Sequence, residues 1–102
     1  MRLLLLGLAC CAGSVSQSLA ATQEWQGYTQ TLGPGQVVDE RLACKHGTLV
    51  SGGYSLDSTS GPRSKLIVVV NAPVPDGTWN VALMNDNDAP ASINFRIAIL
   101  CD

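Results

Sequence analysis

The stretch from Ser92 to Cys101 constrains this chain most. Ile93, Phe95, Ile97, Ile99 and Cys101 occupy every second position, with Asn94 and Arg96 between them. Successive side chains of an extended strand point to opposite faces, so this spacing makes one face apolar and the other polar. A helix would scatter the same residues around its circumference. Thr78 to Met84 repeats the pattern, with Trp79, Val81 and Leu83 sharing a face. Two such strands demand a common apolar layer, and an isolated hairpin does not supply one.

The rest of the chain gives further strand signals about every 10–15 residues, separated by Gly, Pro, Asn and Asp clusters. Trp25–Leu32 reads as a first strand, ended by Gly33-Pro34-Gly35. Val37–Cys44 is a second and Thr48–Ser55 a third. Within the third, Gly52-Gly53 marks a bulge or a close backbone approach. Asp57–Arg63 is polar and reads as a loop. In Lys65–Asn71, Leu66 to Val70 are apolar on both faces, the composition expected of a central strand covered on both sides. Asn85–Pro90 is a turn. No segment keeps apolar residues at helical spacing over three turns. The expectation is an all-β fold, a small antiparallel β-sandwich of about six strands with one disulfide, preceded by a signal peptide. A small barrel is the nearest alternative.

Residues 1–20 carry that leader. Met1-Arg2 gives a positive start, Leu3–Ala12 an apolar run, and Ser18-Leu19-Ala20 puts small residues three and one positions before a cleavage point. The domain organisation is therefore a signal peptide over 1–20 and a single β-sandwich domain over 21–102. The apolar run falls short of the roughly 20 residues that span a bilayer, and no later segment reaches it, so no transmembrane segment is expected in the mature chain. Leu8-Ala9-Cys10-Cys11 loosely resembles a lipoprotein cleavage box, which leaves lipid anchoring through Cys10 or Cys11 as an alternative to a secreted or periplasmic product. Loss of Arg2 leaves five basic residues against eight acidic ones, a net charge of −3. That balance argues against nucleic acid and against an anionic membrane surface. Cys44 and Cys101 remain. Two cysteines in a small exported domain are most simply one disulfide. The rival, a metal pair, lacks a Cys-x-x-Cys spacing.

Catalytic signals are sparse. His46 is the only histidine, so a hydrolase of the Ser-His-Asp kind would have to use it. It sits in what reads as a turn, beside no glycine-flanked nucleophile, and a small secreted hydrolase is the weakest reading. Asn85, Asp86, Asn87 and Asp88 form the densest group of oxygen ligands, the chemistry calcium prefers. Asn and Asp also dominate turns for conformational reasons, and a hairpin turn explains them equally. Of the aromatic residues, Trp79 and Tyr54 share faces with apolar neighbours and are assigned to the core. Trp25 is the candidate for an exposed ring that stacks on a sugar.

One ordered set of residues resembles a known group. Cys44-Lys45-His46-Gly47 leads into Gly52-Gly53-Tyr54, then Asn71-Ala72-Pro73, Trp79-Asn80-Val81 and a closing Ala98-Ile99-Leu100-Cys101. This resembles small secreted bacterial and phage-tail-associated β domains of the Cys-x-x-Gly, Gly-Gly-Tyr, Trp-x-Val, Cys type, over roughly residues 44–102. The chain departs from them at Lys45-His46 and at Ser51. The resemblance implies a β-sandwich with Cys44 paired to Cys101 and says little about function. The expected function is an exported, non-catalytic binding or interaction module acting on an extracellular or envelope protein or glycan. The alternative is a calcium-assisted carbohydrate-binding domain using the Asn85–Asp88 loop and Trp25.

Overall fold

A computed structural model describes residues 21–102. The signal peptide assigned to 1–20, with Cys10 and Cys11, lies outside the described residues. Six strands follow in order: β1 (Thr22–Leu32), β2 (Val37–Ala43), β3 (Leu49–Thr59), β4 (Leu66–Pro73), β5 (Thr78–Asn85) and β6 (Ala91–Cys101). They form two three-stranded sheets, β1-β6-β3 and β2-β5-β4, antiparallel throughout. The two strands with the clearest alternation, β5 and β6, are the two sheet centres. Their inward rows, Val81 and Leu83 against Ile93, Phe95, Ile97 and Ile99, make most of the buried core, completed by Leu32 and Val38. Tyr28 stacks on Phe95 with ring centroids 5.2 Å apart.

Only β4 and β5 are joined as a hairpin; the other connections cross between sheets. The hairpin turn is Val74-Pro75-Asp76-Gly77. Pro75 presets its first corner and Gly77, at φ 92°, closes it. The first crossing uses Gly33-Pro34-Gly35, where the Gln36 amide donates to the Gly33 carbonyl at 3.1 Å and Gly35 takes φ 75°. At the far end of the sandwich the Cys44–Cys101 disulfide ties the end of β2 to the end of β6, with Cα atoms 5.9 Å apart.

Several sequence expectations are corrected. Asp57 is not in a loop, because β3 runs on to Thr59 with Asp57 as an extra residue in its ladder to β6. The glycine pair makes the close approach and not the bulge: a Cβ on Gly52 would lie 2.5 Å from Trp79 Cδ2, and the other β3 irregularity falls at Val50. Trp79 packs against the core and donates from Nε1 to Asn71 Oδ1 at 2.9 Å. Tyr54 is not buried, with 36% of its surface exposed. Its row points inward, but β3 is an edge strand and no neighbour covers it on that side. β4 is likewise an edge and not a central strand. Its apolar run is half covered, leaving Ile67, Val68 and Val69 exposed.

Candidate functional site

The outer face of the β1-β6-β3 sheet is where exposed chemistry concentrates. Its rows follow from register: Trp25 pairs with Ala98, Gly27 with Arg96, and Thr29 with Asn94, while Ser55 and Ser58 lie across from Arg96 and Asn94 on the other flank. The alternation that sends Ile97 and Phe95 inward necessarily sends Arg96 and Asn94 outward. Arg96 donates from Nε and Nη2 to Asp57 Oδ1, at 3.2 and 3.0 Å. The bulge at Asp57 turns this carboxylate toward the face, which is why a residue that reads as loop belongs to the site.

Trp25 stands over this arrangement with 62% of its surface exposed. The Arg96 guanidinium lies 5.6 Å from its ring centroid, within the range of a cation–π contact. Gly27 lies beside the ring, where a Cβ would sit in ordinary contact with Trp25 Cζ3 at 3.9 Å. Beyond Arg96 the polar row continues. Thr29 Oγ1 donates to Asn94 Oδ1 at 2.6 Å, and Asn94 Nδ2 donates to Ser58 Oγ at 2.7 Å. A shallow groove of about 370 Å³ runs along one side of the indole, bordered by Thr29, Asp57, Asn94 and Arg96. A second, of about 280 Å³, lies on its other side against Gln23 and Ser55. The indole thus borders two hollows, the first lined by the hydrogen-bonded Thr29, Asn94, Asp57 and Arg96.

The Asn85–Asp88 segment is organised differently. It is not a hairpin turn, because it carries the chain from β5 in one sheet to β6 in the other. Asn85 is buried, with 1% exposed. Its Nδ2 donates to the carbonyls of Leu32 at 2.9 Å and Ala89 at 3.0 Å, and its Oδ1 accepts from the Asn87 amide at 3.0 Å. The side chain is therefore committed to closing the corner, while Asp86 and Asp88 are exposed and Asn87 is half-buried. Among the described residues no three His, Cys, Asp or Glu side chains gather in a cluster. His46 is exposed in the turn after Cys44, at the disulfide end of the fold.

Two titrating groups are shifted. Asp76 is held below the ordinary carboxylate range, first by the Thr78 hydroxyl and amide, at 2.7 and 3.0 Å, and then by Arg41. Tyr28 is pushed up by partial burial and by the nearby Glu40 carboxylate. Neither lies on the outer face that Trp25 dominates.

Residue by residue, Trp25 is exposed as expected, and Cys44 and Cys101 are paired. Asp57, Asn94 and Arg96 were not singled out from sequence, although the strict alternation of β6 placed Asn94 and Arg96 on the solvent side. Comparison of the chain with protein-family models, with curated proteins and with solved structures finds no match to any of them.

Proposed function

We propose that this chain is an exported, non-catalytic binding module whose ligand lies on the outer face of the β1-β6-β3 sheet. The observation that carries the reading is the Trp25 indole, exposed and held over Arg96 while Arg96 is itself fixed by Asp57. A large ring left in water on a sheet face, with its neighbours already ordered, loses little conformational entropy on binding. The matching ligand has a flat apolar face and hydroxyl groups at its edge, which describes a sugar ring. Its C–H face would lie on Trp25, and its hydroxyls would reach Asp57, Asn94 and Thr29. A glycan of the cell envelope or of the extracellular space is thus the favoured class. Export is supported by the Cys44–Cys101 disulfide, since such bonds persist in oxidising compartments. It is supported also by the leader-like order of residues 1–20 and by the resemblance to small secreted bacterial β domains.

The test is retention on insoluble chitin, cellulose and peptidoglycan, followed by titration of tryptophan fluorescence with soluble fragments of whichever retains the protein. Trp25→Ala is expected to abolish retention with the melting temperature unchanged, and Arg96→Gln to weaken it. Retention that survives Trp25→Ala, or none on any glycan, overturns the proposal for this face.

A further inference from the structure

The four sheet edges are not alike. Edge strands offer unpaired backbone groups to any extended chain, and proteins ordinarily blunt them with charge, bulges or proline. β1 carries Glu24, β2 carries Asp39, Glu40 and Arg41, and β3 carries Asp57 with two bulges. β4, Leu66 to Pro73, has no charged residue. One bulge at Val69 and a terminal Pro73 are its only irregularities. Ile67, Val68 and Val69 are 41%, 42% and 53% exposed along it.

The two open sides of the sandwich differ in the same sense. Between β1 and β2 the inward rows carry Glu24, Gln26, Gln30 and Glu40 beside the core-packed Tyr28, Leu32, Val38 and Leu42, and Glu24 accepts from the Lys45 amide at 2.9 Å. Between β3 and β4 the inward rows carry Tyr54 and Val68, paired with the buried Ile97 and Leu83 and yet exposed at the rim. The first side carries four charged or amide side chains at its rim, and the second carries Tyr54 and Val68 with Asn71 as its polar member.

We infer that β4 pairs antiparallel with β4 of a second copy, joining the two β2-β5-β4 sheets into one six-stranded sheet across a two-fold axis. An isologous contact needs a surface complementary to itself, and an uncharged run of β-branched residues meets that condition where the charged edges of β1 and β2 do not. Antiparallel alignment also brings the Lys65 end of one strand beside the turn after Pro73 of the other, which bears Asp76, paired with Arg41 of its own chain at 3.4 Å and still 53% exposed. Lys65 makes no ion pair among the described residues. Self-pairing leaves the Trp25 face open on both copies and stands independently of what that face binds.

The experiment is sedimentation equilibrium on the disulfide-intact protein, up to about millimolar concentration, where even a weak dimer is populated. The expected species has the mass of two chains. Val69→Lys is expected to raise its dissociation constant at least about tenfold, while Val37→Lys, on the opposite edge of the same sheet, leaves it unchanged. Because a lysine at Val69 also tests the fold itself, amide exchange of the unaltered protein is read alongside: protection of Ile67–Asn71 is expected to rise with protein concentration. A monomer at every concentration overturns the inference and leaves the edge to a strand of another protein. A dimer broken by Val37→Lys but not by Val69→Lys overturns it in favour of the outer face of that sheet.

Discussion

Truncating Asn85 would strip the donor from the Leu32 and Ala89 carbonyls and the acceptor from the Asn87 amide, all at a closed corner of the fold. The surrounding main chain is held there too, since the Gly35 amide donates to the Asn85 carbonyl at 2.7 Å and the Asn85 amide to Gln36 at 3.0 Å. Unsatisfied buried groups cost more than the bonds they made, so Asn85→Ala is expected to lower stability by about 3 kcal/mol, read as a shift in denaturant midpoint at constant slope. Asn85→Asp is expected to do no better, because a carboxylate would face two carbonyl oxygens. A change within experimental error would show that the corner holds through main-chain bonds alone. The role of Asn85 was not legible in sequence. An asparagine in an Asn-Asp run reads equally as turn former and as oxygen ligand, and only its burial against β1 separates the two. Trp25 was legible as an exposed ring from its place near the start of the mature domain. Asp57 was hidden because a bulge, which shifts alternation by one residue, leaves no mark in a polar stretch.

At the scale of elements, the strand read as central, β4, is an edge, while the centres are β5 and β6, whose alternation was read without assigning them that place. β5 and β6 alternate because each has one face on the core. β4 is apolar at consecutive positions, which suits a strand covered on both faces and equally an edge waiting for a partner; the sequence pattern is the same for both. The β4–β5 hairpin turns at Pro75-Asp76-Gly77, residue types that suit a tight turn. It also has its own pH dependence. Asp76 titrates below its unfolded value of about 3.9, so its ionised form stabilises the fold above that pH and the contribution is lost as pH falls through the lowered folded value. Wild type is therefore expected to melt above Asp76→Asn at neutral pH, and the gap to close as the pH falls below the unfolded value of about 3.9 and through the lowered folded one. A gap that stays constant over that range would assign the turn's stability to Pro75 and Gly77 instead. The side chain is solvent-exposed, so the difference is expected to be small and to shrink in salt.

In the whole molecule the two sheets are fastened at opposite ends. Asn85 and the Gly33–Gln36 turn secure one end, beside the start of β6. At the other the disulfide joins Cys44, just after β2, to Cys101, the last residue of β6. The alternating row of β6 made Cys101 readable as an inward residue, so the staple was the most legible long-range contact in the chain. Its two cysteines are 57 positions apart, and a loop of that length implies about 4 kcal/mol from the restricted unfolded chain. Cys44→Ser, or reduction, is expected to lower the denaturant midpoint accordingly and to steepen the slope, because the uncrosslinked chain exposes more surface when unfolded. The paired Thr48 and Asp102 main-chain bonds, each 2.8 Å, remain at that end after reduction, so the native state should still form. Asn85 acts at the far end of β6, where losses add. Together the two changes approach the whole stability of a domain this small, which runs at about 0.05–0.15 kcal/mol per residue. Reduced Asn85→Ala protein is therefore expected to be largely unfolded at about 25 °C and to lose the near-ultraviolet signal of Trp79. A native spectrum under those conditions would mean that packing of β5 on β6 holds the sheets together without either fastening.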